Sequence, residues 1–220
     1  MTGDNLNILY EDNHLLVINK QSGQLVQGDQ TGRITLLDEG KGWLRDRYQK
    51  PGNVFLGPVH RLDRPASGVV VFARTSKAAS RLSEEIRESR AKKTYWACVY
   101  GQVPEAGDWT DQLERREYSS HVVEPPAGKR ARLTYRRLKS ASDVSIVEID
   151  LETGRHHQIR VQFSHREHPI LGDRRYGSNV PFADDAIALH ARQMEIKHPT
   201  RDETMCFNAP APNSWGPYHP

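Results

Sequence analysis

Residues 69–73 (Val-Val-Val-Phe-Ala) form a continuous apolar block with turn formers just before it. Short β-branched blocks bounded in this way predict a buried strand. Upstream, Ile8-Leu9-Tyr10 and Leu15-Leu16-Val17-Ile18-Asn19-Lys20 flank Glu11-Asp12-Asn13, which predicts a hairpin with an acidic turn, ended by Gln21-Ser22-Gly23. Between 34 and 48 the pattern changes period. Leu36, Leu37, Gly40, Trp43, Leu44 and Tyr48 fall at helical spacing, with Gly40 and Gly42 weakening the helix by about 1 kcal/mol each. Thr75 or Ser76 can cap a second helix running to about residue 90, with Ala78, Ala79, Leu82 and Ile86 as its buried stripe.

Residues 94–100 alternate as a strand stopped by Gly101, and 131–138 and 144–151 predict two more. The stretch 103–128 is rich in Pro, Gly and charge and reads as a loop-dominated excursion. After Gly154, residues 156–165 predict a short helix burying Ile159 and Phe163, and 188–197 a late strand ended by His198-Pro199. From residue 209 the proline-rich tail is expected to run along the surface. Strands that arrive both as hairpins and separated by helices favour an α+β fold, with a mixed, mostly antiparallel central sheet flanked by helices. No linker composition divides residues 1–220, so one catalytic domain is expected.

Charge adds a partner class. The chain has 31 Lys+Arg against 28 Asp+Glu, but the balance is uneven. Residues 61–93 hold nine basic and four acidic side chains, and residues 129–139 hold six basic and none acidic. Such clusters fit either a solvated surface or a polyanion footprint, with nucleic acid the first candidate. Cys98 and Cys206 do not make a disulfide framework, Met1 to Asn7 lacks signal-peptide features, and no apolar run reaches the 18 or so residues of a membrane span. A soluble, cytoplasmic monomer is expected, with no membrane partner.

Three segments combine chemically active residues. In His60-Arg61-Leu62-Asp63-Arg64-Pro65-Ala66-Ser67-Gly68 a carboxylate sits between two arginines, in a loop at the mouth of a strand. Flanking cations favour the anion, a potential nucleophile. The same pattern fits a carboxylate that only neutralises Arg61 or Arg64. In Lys92-Lys93-Thr94-Tyr95-Trp96, lysines lead into aromatics, suited to base stacking beside a phosphate or to an ordinary core. In Thr153-Gly154-Arg155-His156-His157-Gln158-Ile159-Arg160, Arg160 would point inward only if a carboxylate awaited it.

Other chemistries fit poorly. Glycosidases usually need two flanking carboxylates, and only Asp63 lies in so dense a motif. His156, His157, His165 and His168 lack metal-site spacing, so no metal is expected. No phosphate loop, dinucleotide fingerprint or nucleophile elbow occurs.

Together these motifs resemble the RluA-type pseudouridine synthases, which isomerise uridine to pseudouridine in structured RNA. The resemblance begins at Leu9-Tyr10-Glu11-Asp12 and Val17-Ile18-Asn19-Lys20, peaks at His60-Arg61-Leu62-Asp63, and continues through Lys93-Thr94-Tyr95-Trp96-Ala97. Gly154-Arg155 with His157-Gln158-Ile159-Arg160, Ile170-Leu171-Gly172-Asp173 with Tyr176-Gly177, Leu189-His190-Ala191 and His198-Pro199 complete it. It implies Asp63 as nucleophile at the ribose anomeric carbon or ring carbon 6, Tyr95 as base and ring contact, and Arg160 as the partner of Asp63. It further implies Leu189 against the uracil, Arg61 as a wedge replacing the extruded base, and Lys92, Lys93 and Arg155 as substrate contacts. Phosphate contacts are expected around Lys92 and Lys129, with ribosomal or transfer RNA as substrate and no cofactor. The separate N-terminal RNA-binding domain of some relatives is not part of this sequence. The chain departs from the family at Ala66, where Thr is usual, at His156, where Thr or Ser is usual, and at Gln21, often Pro. A rival reading is an RNA-binding or RNA-folding module of this fold with lost or incidental isomerase activity. A metal-dependent hydrolase built from the histidines is a third.

Overall fold

Two fully buried strands, β2 (Leu15–Lys20) and β4 (Ser67–Ala73), form the centre of the first half of the protein. They are described here from a computed structural model covering residues 6–28 and 32–220. The first five residues of the polar start lie outside this description. The chain sorts into two compact units, one running to Ala91 with Gln193–Pro210, the other Lys92–Arg192 with Ala211–Pro220.

In the first unit β1 (Ile8–Glu11) pairs antiparallel with β2 as predicted, and β2 pairs antiparallel with β4 from Leu15↔Ala73 to Lys20↔Gly68. The two-residue β3 (Gly57–Pro58) lies on β4. The first helix, α1 (Leu36–Arg47), starts with a capping box in which Thr35 and Asp38 satisfy each other's amides. Gly40, a weakness by propensity alone, answers a packing need: a Cβ there would lie 2.8 Å from Leu56 Cδ2. Leu16 and Ile18 approach the same spot. Alternation sends Leu15 and Val17 to the other face, into a core with Val69, Val71 and the buried stripe of α2 (Ser76–Arg87). Thr75 caps α2 by accepting from the Ala78 amide at 3.1 Å.

The second unit is an antiparallel array. β5 (Lys92–Tyr100) pairs with β9 (Val144–Leu151), and β9 with β8 (Lys129–Ala141). β8 in turn pairs with β6 (Ala106–Arg116), and β6 with β7 (Ser119–Val123). The β6–β7 hairpin corrects the loop expected over 103–128. Its charges lie on strand faces, as in the ion pair of Asp108 with Arg132 across β6 and β8 at 2.8 Å. Gly107, within β6, leaves room for the Tyr135 ring. Helix α3 (Gln158–His165) packs Phe163 edge-on to Trp109 at 4.7 Å. β10 (Leu189–Lys197) starts in this unit and continues in the first from Gln193, where it pairs antiparallel with the unanticipated β11 (Thr204–Asn208). The fold is therefore α+β, with a mostly antiparallel sheet. No helix among the described residues is long and apolar enough to cross a membrane.

The tail also differs from expectation. Trp215 is 1% exposed and sits edge-on to Phe182 and His190, both at 6.1 Å. A ring of this size outweighs the local preference of proline-rich chain for solvent, since its burial removes a large apolar surface from water. Trp215→Ala is expected to destabilise the protein by about 3 kcal/mol or more in urea unfolding; an unchanged midpoint would show that the tail does not pack.

Candidate active site

The β2–β4 register places Lys20 opposite Gly68, where the loop carrying Asp63 enters its strand. Lys20 is wholly buried, and its ammonium donates to the carbonyls of Ala66 at 2.6 Å, Gln21 at 2.9 Å and Arg64 at 3.1 Å. Two of these carbonyls belong to the Asp63 loop. The loop is closed further by the Ala66 amide donating to Asp63 O at 3.1 Å, and by Gly23 N donating to Arg64 O at 2.8 Å. His60 Nε2 accepts from the Val71 amide at 2.9 Å, fixing the start of the motif to β4. Gly68, at φ 115°, makes the bend in a conformation other residues resist. Within this frame Asp63 is half-buried and Arg61 is exposed. Burial pushes the Lys20 amine down to about 7, the Asp63 carboxylate pulls it up, and Arg64 repels it. Asp63 thus attracts a buried cation, Lys20, besides standing between Arg61 and Arg64 in the sequence.

The other candidates lie in the second unit. Tyr95, half-buried, stands opposite Ile149 in the β5–β9 ladder. Leu189, 5% exposed, opens β10 beside Ala188, whose carbonyl accepts from Cys98 N at 2.9 Å. Arg160, 4% exposed on α3, pairs with the carboxylate of Asp173, a partner that the sequence resemblance did not assign to it. Nε reaches Oδ2 at 2.7 Å and Nη2 reaches Oδ1 at 2.9 Å, a bidentate pair. The guanidinium also lies over the Tyr176 ring, 5.0 Å from its centroid. Tyr176 OH accepts from Ser120 N at 2.8 Å. Lys92 and Arg155 are exposed and Lys93 is half-buried. Burial pushes the Lys93 amine down, and Arg155 beside it pushes it further. Burial also pushes the Cys98 thiol up to about 12, leaving it protonated and unreactive. Among the described residues no group of His, Cys, Asp or Glu side chains is arranged to hold a metal ion.

Residues 14–165 match the family model described as RNA pseudouridylate synthase. The chain belongs to the RNA pseudouridylate synthase family. It is 34% identical over 213 residues to ribosomal large subunit pseudouridine synthase C of Vibrio parahaemolyticus, covering 92% of this chain and 65% of that protein. It is 34% identical over 216 residues to the dual-specificity RNA pseudouridine synthase RluA of Haemophilus influenzae, covering 93% and 92%. The solved structure of human RNA pseudouridylate synthase domain containing 4 superposes with a TM-score of 0.79 at 25% identity, covering 95% of this chain and 91% of that one.

Two of the positions that set this sequence apart make identifiable contacts. Ala66 contributes through its backbone, donating to Asp63 O and accepting from Lys20. His156 Nδ1 lies 3.0 Å from Ser120 Oγ, which donates to the His156 carbonyl at 2.6 Å. Lys20 and Asp173 lie within the sequence motifs, but only the fold shows what they touch. The available signals were a charged residue ending an apolar strand, and an aspartate in a Leu-Gly-Asp turn with an inward arginine to match.

The Lys20 environment gives a pH dependence. Between about 7 and 10.5 the amine is neutral when folded but protonated when unfolded. The unfolded state then binds more protons, so this group's contribution to stability rises with pH across that window and is level below it. Lys20→Met removes the slope. The wild-type-minus-variant unfolding free energy is expected to grow by up to about 1.4 kcal/mol per pH unit in urea titrations at pH 7, 8 and 9. A pH-independent difference would contradict this.

Proposed function

We propose that this chain converts uridine to pseudouridine in structured RNA, with Asp63 as the nucleophile. The observation that carries the reading is the Asp63 loop itself, a half-buried carboxylate on a backbone pinned from beneath by the buried Lys20 ammonium. A loop fixed in this way holds a reacting oxygen without reorganising at the moment of reaction. Family membership supplies the reaction, and the relatives' names support ribosomal RNA among the substrates.

The reaction runs by attack of the Asp63 carboxylate on the target nucleotide, at the anomeric carbon or ring carbon 6. The bond between the anomeric carbon and ring nitrogen 1 breaks, the uracil turns in place, and the anomeric carbon bonds to ring carbon 5. Ring carbon 5 then loses its proton, ring nitrogen 1 gains one, and the carboxylate is released. Substrate and product have the same atoms, so no oxidant, reductant or donated group enters the balance. Tyr95 contributes a ring face against the uracil and a hydroxyl placed to relay the proton. Leu189 provides an apolar contact, and Arg160, oriented by Asp173, contributes a fixed guanidinium charge.

A base paired in folded RNA must leave its stack at a cost of a few kcal/mol. The exposed Arg61 fills the vacated space, while Lys92, Lys93 and Arg155 engage the phosphates. In RNA tritiated at ring carbon 5 of uridine, Asp63→Asn is expected to reduce tritium release by about a thousandfold or more while RNA binding persists. Undiminished release would eliminate Asp63 as nucleophile. A wild type that binds RNA yet forms no pseudouridine on any cellular RNA fraction would leave a binding module instead.

A further inference from the structure

On the second unit, a concave site of about 390 Å³ lies between the β6–β7 hairpin, the start of β8 and the loop entering α3. Arg115, Lys129, Arg155 and His156 line it, with Ser120 as a further polar group and Gly154 as an open part of the wall. Its one acid, Glu114, is taken up by Arg116 at 2.7 Å. Lys93 adds to the same concentration of cations, since a Cβ on Gly154 would lie 3.5 Å from Lys93 Nζ. Like charges gathered around one hollow repel each other unless an anion joins them. Arg155 is held in place by its own backbone contact, Nε donating to the Arg130 carbonyl at 2.9 Å.

A line of packed rings runs from this hollow to Arg160. The His156 ring stacks on His157 at 3.8 Å and 24°. His157 Nδ1 lies 2.9 Å from Tyr176 OH, and the Tyr176 ring lies beneath the Arg160 guanidinium. The hollow is thereby held at a fixed offset from a side chain assigned to the reaction.

We infer that this hollow binds a backbone phosphodiester of the RNA beside the target uridine, setting the register of the strand relative to Arg160. This rests on the proposed RNA-modifying function and adds Arg115 and His156 to substrate recognition, in one site with Lys129 and Arg155. A phosphodiester suits the site because its anionic oxygens accept from a guanidinium pair and an ammonium together. A hollow of this size admits a sugar-phosphate unit, whereas an apolar peptide would leave the cations without partners.

The test compares Arg115→Ala/Lys129→Ala with a control pair, Lys77→Ala/Arg87→Ala, which removes two exposed cations from α2. Each protein is titrated with bulk transfer RNA across a range of salt, and kinetics follow on the RNA fraction that wild type modifies. The site variant should bind RNA about tenfold more weakly and lose roughly two from the slope of log affinity against log salt. Its KM should rise by a similar factor with melting temperature unchanged, and the control pair should match wild type. An unchanged salt slope, or an equal loss in the control pair, would overturn the inference. If wild type forms no pseudouridine, the proposed function fails, and the affinity slopes still decide whether this hollow holds phosphate.

Discussion

A cation removed from water must have acceptors for its donors, and this requirement shapes both units. In the first, three carbonyls converge on Lys20, two of them from the loop that carries Asp63. In the second, the fork of Arg160 closes on Asp173, and Tyr176 covers its face. Breaking either arrangement leaves a buried charge or buried carbonyls without partners, which costs far more than losing a surface pair. The backbone around each cation is therefore held to one conformation.

The route from sequence to chemistry is short in the first unit. Apolar residues of β2 and β4 fill both faces of the sheet, against α1 on one side and α2 on the other. A one-residue slip would exchange those faces, so the register is fixed. That register is what delivers Lys20 to Gly68. In the second unit α3 packs Phe163 among the aromatics of β6 and β8, and Arg166 lies 4.3 Å over the Trp109 ring while pairing with Asp111. These contacts fix the helix rotation that turns Arg160 inward.

Elements with a clear period were legible from residue types. The first hairpin, β4, α2, β9 and β10 appear where pattern and caps placed them, because each buries one face or both. The region 103–128 was not legible. In β6 and β7 few residues besides Leu113 and Ser120 are well buried, so charge and turn formers outnumber the apolar signal. The ladder to β8 supplies the order instead. The tail packs despite its proline-rich composition because one buried indole outweighs the prolines. At the site, the residue types of Asp63, Tyr95 and Arg160 were readable as motifs. The supports at Lys20 and Asp173 were not, since a lysine ending a strand has no partner until the pairing register is known.

In the proposed reaction, Lys20 acts through the loop to aim the Asp63 carboxylate. Single-turnover pseudouridine formation, with enzyme in excess over RNA, measures that most directly in Lys20→Met beside wild type. The variant should bind RNA as tightly as wild type but form product at least about tenfold more slowly, because only the aim of the reacting oxygen has changed. A variant that folds, binds RNA and turns over at the wild-type rate would contradict it.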